Sequence, residues 1–377
     1  MLLPTLSRAT RARAPLSLLR SLHSTPLLHR PVSLLTPKEL STLLTSPTAD
    51  TGGDVVVLDA SWHMPNLDPP RDAWGEYRKK RIEGAGFWHQ DQIASTSPLS
   101  VPHNMPTKEL FEDACSRLGI SRESHVVLYD STGVFSSPRG AFTFKHFAHD
   151  QVSILDGGLP RWVAEGYPTS NSSPANPNPH ALLPGEKARY QPIFSELLYA
   201  VKPRVESYFI ADIEELFTDY KVPDGAEQGD VRQWEDLNGV IGQLEGSGGR
   251  EGDVVLDARP EGRFLGTAPE PRPGLSSGHM PHAYSLPFPE LLTGADVKTL
   301  KPAAELEDAI KSRVGDEVWQ SLKSGERGVT TTCGSGMTAA VLWLGLQRAG
   351  VSADKIKLYD ESWTGYAQRP ESKIVKS

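Results

Sequence analysis

The chain is written twice. Residues 54–62, DVVVLDASW, return as DVVLDARPE at 253–261, and HVVLYDSTG at 125–133 returns as GVTTTCGSG at 328–336. SILDGGLPRWVAEGYP at 153–168 is matched by KLYDESWTGYAQRP at 357–370, so the second copy follows the first by about 200 residues. Each copy runs in one order: an apolar strand ending in Asp, a Pro/Gly-rich segment, a helix, a second strand ending in a loop, a helix, and a third strand ending in Asp. Short apolar strands alternating with helices predict an α/β fold, two tandem domains, each a parallel sheet flanked by helices.

The boundaries follow. Residues 1–30 carry five arginines (Arg8, Arg11, Arg13, Arg20, Arg30) among serines and leucines, with no acidic residue before Glu39. That composition reads as a mitochondrial transit peptide and predicts the mitochondrial matrix; whether an alternative start gives an additional cytosolic form is left open by the sequence. Residues 31–168 form the first domain, 169–204 a Pro/Asn/Ser-rich linker, and 205–377 the second, with a low-order surface insertion at about 219–252. Without residues 1–30 the net charge of −8 becomes −13 with histidine neutral, which argues against direct binding of nucleic acid. The apolar runs near the N-terminus are broken by arginine, so no membrane span is expected. Two cysteines cannot make a disulfide framework, and the histidines show no metal-ligand spacing.

Those two cysteines differ. Cys115 shares one helical face with Leu110, Phe111, Ala114 and Leu118, and reads as a packed, inert thiol. Cys333 lies between a β-branched strand, Val329–Thr332, and a helix rich in Ala and Leu, within TTCGSGMTAA. There the free N–H groups of a first helical turn and the positive end of the helix dipole can hold an anion beside the sulfur. It is the nucleophile's position. In the first copy the same place is Asp130, so only the C-terminal domain can be catalytic; the first is scaffold and one wall of the cleft between the two. A phosphatase would need an arginine six residues after the cysteine, where Ala339 stands.

LDASW at 58–62, FSSPR at 135–139, DGGLPRW at 156–162, DARPEGRFLGTAPEPRPG at 257–274, SGHMPHA at 277–283 and CGSGMT at 333–338 together resemble the two-domain rhodanese family of sulfurtransferases over residues 31–370. The loop CGSG is similar to that of the 3-mercaptopyruvate-using members; a thiosulfate-preferring loop carries cations, and Gly334 and Ser335 supply none. The resemblance implies transfer of sulfur from 3-mercaptopyruvate, a small-molecule donor, through a Cys333 persulfide to a thiol acceptor such as a thioredoxin-like protein, with release of pyruvate and no cofactor. It assigns Arg263 and Arg272 to the substrate's carboxylate and carbonyl. It assigns Gly334, Gly336, Met337 and Thr338 to the cradle of the transferred sulfur, with Ser335 donating a hydroxyl to it. The helix cap is an alternative role for Thr338. The family's alternatives are thiosulfate-to-cyanide transfer and a persulfide carrier for tRNA-thiolation machinery.

One departure bears on the chemistry. Where vertebrate-like members place a histidine proposed to relay protons, KKRIEGAGFW puts Arg81. An arginine cannot exchange protons near neutral pH, so Asp72 and Arg81 are only candidate cleft residues. His279 reads as a turn histidine.

Overall fold

A computed structural model describes residues 31–45, 54–171, 218–227 and 229–377. The expected transit peptide and most of the expected linker lie outside these residues. Among the described residues no helix is long and apolar enough to cross a membrane.

The repeated segments become two five-stranded parallel sheets with the same strand order. In the first, Ser33–Leu35, Val152–Leu155, His125–Tyr129, Val55–Asp59 and Gly86–Phe87 lie side by side. In the second the corresponding succession is Val231–Arg232, Ile356–Tyr359, Val329–Thr332, Val254–Asp257 and Tyr284–Ser285. The central strands, VVVLD, HVVLY, VVLD and VTTT, are almost wholly buried, as continuous β-branched and apolar runs covered by helices on both faces must be.

This pairing corrects one expectation. Residues 219–252 are no surface insertion: Val231–Arg232 is the edge strand of the second sheet, and Trp234–Ser247 is a helix that buries Leu237, Val240, Ile241 and Leu244. They hold the places that Ser33–Leu35 and Pro37–Thr45 hold in the first copy. The Gly-rich flanks that suggested disorder are the turns around that helix, whose end is a left-handed Gly248.

The two copies meet through two deeply buried helices. Ser137–His146 follows the Asp130 loop and Ala339–Arg348 follows the Cys333 loop, and each is buried on nearly every side. They pack on each other, Phe142 meeting Trp343 edge-to-face with ring centroids 5.2 Å apart. One apolar core, which includes Phe142, Phe144, Trp343 and Leu346, runs through the seam. Because the Cys333 loop opens one of these helices, it stands where the two halves touch.

Candidate active site

Cys333 directly follows the strand Val329–Thr332 and is 2 % exposed. The loop after it is held from outside by the start of the helix Ser362–Tyr366. Trp363 donates its N–H to the Cys333 carbonyl (2.9 Å), Thr364 donates its N–H to the Gly334 carbonyl (2.9 Å), and the Thr364 hydroxyl donates to the same oxygen (2.6 Å). The Cys333 N–H donates to Ser362 Oγ (3.2 Å). With those carbonyls turned outward, none of the N–H groups of residues 334–338 has a hydrogen-bond partner among the described residues. Thr338 occupies the N-cap position of the helix Ala339–Arg348 without a side-chain capping bond.

The first copy shows what such a loop is shaped to hold. Asp130 Oδ1 accepts from the N–H groups of Thr132 and Gly133, both at 2.9 Å. Its Oδ2 accepts from those of Phe135, Ser136 and Ser137 and from the Ser137 hydroxyl, at 2.7–3.1 Å. A carboxylate thus fills the cradle permanently. In the Cys333 loop no fixed carboxylate takes that place, and the N–H groups of residues 334–338 are open for an anionic group.

Two guanidinium groups flank the loop. A Cβ placed on Gly334 would lie 3.3 Å from Arg263 Nη2 and 3.7 Å from Arg272 Nη1. Arg272 Nη1 donates to Thr364 Oγ1 (3.1 Å), and burial pulls its guanidinium below the usual arginine value, an effect that negative charge on Cys333 opposes. Arg263 is held by a chain of buried charges that sequence reasoning missed. Asp257 pairs with Arg259 (2.6 Å), Arg259 with Glu270 (2.7 Å), and Glu270 Oε2 accepts from Arg263 Nε (3.1 Å). Arg259 also lies over the Trp363 ring, 4.0 Å from its centroid. The signal available was DARPEGRF…PEPR itself: the carboxylates between the arginines are their counter-charges.

Beside Arg272 opens a groove of about 800 Å³ whose other wall is the first copy, through Trp62, His63, Asp91 and the stretch from Ser95 to His103. The loop of Cys333, Gly334, Ser335, Gly336, Met337 and Thr338 thus stands beside Arg263 and Arg272, and of these residues Arg272 lines the groove. Asp72 and Arg81 are not among the residues that line this groove. Arg81 is buried over the Tyr77 ring, 4.9 Å from its centroid, with its backbone paired to Ser170. Asp72 precedes the short helix Ala73–Lys79 and turns its carboxylate toward Gly75. His279 is a structural residue, stacked on Phe264 at 4.0 Å with its Nδ1 on the Phe264 carbonyl (2.9 Å). Cys115 is fully buried, and burial raises its thiol well above the usual value.

A duplicated α/β domain with one cysteine in an anion-cradling loop, and arginines beside it, defines the tandem class of sulfur-transferring enzymes. Comparison with known proteins gives the family. The rhodanese-like domain pattern matches residues 36–165. The chain is 35% identical, over 85% of its length and 74% of the relative's, to the mitochondrial thiosulfate/3-mercaptopyruvate sulfurtransferase 1 of Arabidopsis thaliana. It resembles the crystal structure of the Tum1 protein of Saccharomyces cerevisiae with a TM-score of 0.71 at 26% identity, covering 94% of this chain and 99% of that one. It resembles the sulfur transferase subunit of yeast mitochondrial complex I with a TM-score of 0.68 at 32% identity, covering 92% and 99%. The chain belongs to the rhodanese family and is a sulfurtransferase.

Proposed function

We propose that the chain transfers the sulfur of 3-mercaptopyruvate to a thiol. Arg263 and Arg272 grip the carboxylate and ketone oxygen, which points the donor's sulfur at Cys333. The Cys333 thiolate attacks that sulfur; the S–S bond forms as the C–S bond breaks, and its electron pair passes to the methylene carbon as a pyruvate enolate. The guanidinium at the carbonyl stabilises the developing oxyanion, and protonation releases pyruvate. The outer sulfur of the Cys333 persulfide then lies among the N–H groups of residues 334–338, with the Ser335 and Thr338 hydroxyls beside them. Attack by an acceptor thiolate forms its persulfide and returns Cys333 as thiolate.

The observation that carries this reading is the set of unpartnered loop amides at a buried cysteine with two guanidinium groups at its first glycine. Thiosulfate, a compact dianion, fits the same cradle but finds no cation within the loop itself, so its transfer is the slower activity. The test compares initial rates with both donors in the parent and in Arg272→Ala. The variant raises KM for mercaptopyruvate by about tenfold, the worth of one charge-assisted hydrogen bond, and KM for thiosulfate less. Equal effects on both donors would remove the specificity argument.

The groove is far larger than a three-carbon acid, which suits an acceptor that brings a cysteine on a protein loop, such as a thioredoxin-like partner. The persulfide carrier for tRNA thiolation is the alternative; it predicts loading of Cys333 but slow release to small thiols until its partner is added. The mitochondrial names of relatives and the Arg-rich first thirty residues together favour import into the matrix.

A further inference from the structure

Arg139 belongs to the copy that has no nucleophile, on the helix Ser137–His146, and is 1 % exposed. Its Nη2 donates to the His103 carbonyl (2.6 Å) and to Asp360 Oδ1 (2.5 Å), and Asp360 Oδ2 accepts the Met105 N–H (2.7 Å). Its Nη1 is buried with no hydrogen-bond partner among the described residues. That nitrogen stands 3.0 Å from where a Cβ on Gly336 would be, as does the Asp360 carbonyl oxygen. Gly336 is the fourth residue of the Cys333 loop and lies at φ +84°, a conformation glycine adopts without strain. A buried guanidinium nitrogen left without an acceptor is unfavourable unless the site has a use for it.

The first copy supplies the contrast. Asp156 accepts the Leu300 N–H across the same seam (3.0 Å), as Asp360 accepts that of Met105. At Gly133, the counterpart of Gly336, the nearest atom from the other half is the Lys298 carbonyl oxygen. The loop that holds a fixed carboxylate thus meets a partial negative charge, and the loop that holds a reactive sulfur meets a guanidinium. We propose that Arg139 is a positioning residue of the active site, contributed by the non-nucleophilic half. It braces the Gly336 turn so that the loop amides face Cys333, and it places positive charge beneath the sulfur anion. The proposal rests on Cys333 being the nucleophile.

The test is the rate at which iodoacetamide alkylates the full chain at neutral pH, with the label located by peptide mass mapping and folding checked by thermal melting. Arg139→Gln slows labelling of Cys333 about tenfold, Arg139→Lys slows it less, and Asp360→Asn, which leaves the guanidinium uncompensated, speeds it about threefold. A mere tie between the halves would lower the melting temperature in all three variants without opposite effects on rate. Equal slowing in Arg139→Gln and Asp360→Asn, or a folded Arg139→Gln labelled within twofold of the parent, would overturn the proposal. Should Arg139→Gln not fold, the opposite directions of Arg139→Lys and Asp360→Asn decide it, and rates that move together reject it. Label appearing on Cys115 in the parent would overturn the reading of the site itself; label on Cys333 at unchanged rates overturns only the role of Arg139.

Discussion

Arg263 reaches the reactive loop only because Glu270 holds it, and Glu270 is itself shared with Arg259 and, through it, with Asp257. All three of those supporting side chains are almost fully buried, so each charge is compensated only by the next. Removing the charge at Glu270 leaves two guanidinium groups facing one carboxylate. Glu270→Gln should cost about 3–5 kcal/mol of stability, measured by denaturant titration. It should also raise KM for mercaptopyruvate by about tenfold as Arg263 loses its fixed direction. A variant with unchanged KM would mean that Arg263 needs no such support. The motif DARPEGRF…PEPR displayed every member of this chain, but only the arginines were legible as functional. A carboxylate's part depends on which arginine it touches, and that is settled by the fold.

The strand ends Asp59 and Asp257 are the same position in the two copies, and each caps the backbone two residues on at 2.9 Å, at Ser61 and at Arg259. Their environments differ. Arg259 answers the charge of Asp257, whereas Asp59 has no such cation among its influences, and burial, with the nearby charge of Asp130, pushes its carboxyl up to about 7 against the pull of Ser61 and Tyr129. The folded chain therefore keeps a proton there that the unfolded chain releases above the ordinary carboxylate value of 3.8. Stability from this group is fully present below that value, falls as pH rises toward about 7, and is flat beyond it. Asp59→Asn should flatten that slope, so that denaturant titrations show the variant gaining on the parent between pH 5 and pH 8, by an amount on the order of a few kcal/mol. A constant difference across those pH values would contradict the assignment. The repeat itself, the strand order and the nucleophile's turn were legible in the sequence, because apolar period and strand-end residues are local signals. The edge strand and helix between 231 and 247 were not: a two-residue strand carries no period, and glycines that end a helix look like glycines of a loop.

Across the whole molecule, duplication has divided labour between two copies of one fold. The first keeps the cradle but fills it with Asp130, and contributes a groove wall and Arg139; the second leaves the cradle open and places Cys333 in it. The seam that joins them is one continuous core, and Arg272, which donates to Thr364 beside the reactive loop, also lines the groove. This long-range arrangement is the part that sequence alone left dark, since the residues concerned stand far apart in the chain, as Arg139 and Asp360 do. In this division of labour Cys333 alone carries the sulfur. The most direct test is peptide mass mapping of the chain after exposure to 3-mercaptopyruvate without an acceptor, in the parent and in Cys333→Ser and Cys115→Ser. The expected result is an adduct of one sulfur on Cys333 in the parent and in Cys115→Ser, discharged by added thiol, and neither adduct nor turnover in Cys333→Ser. An adduct on Cys115, or turnover that survives the loss of Cys333, would contradict it.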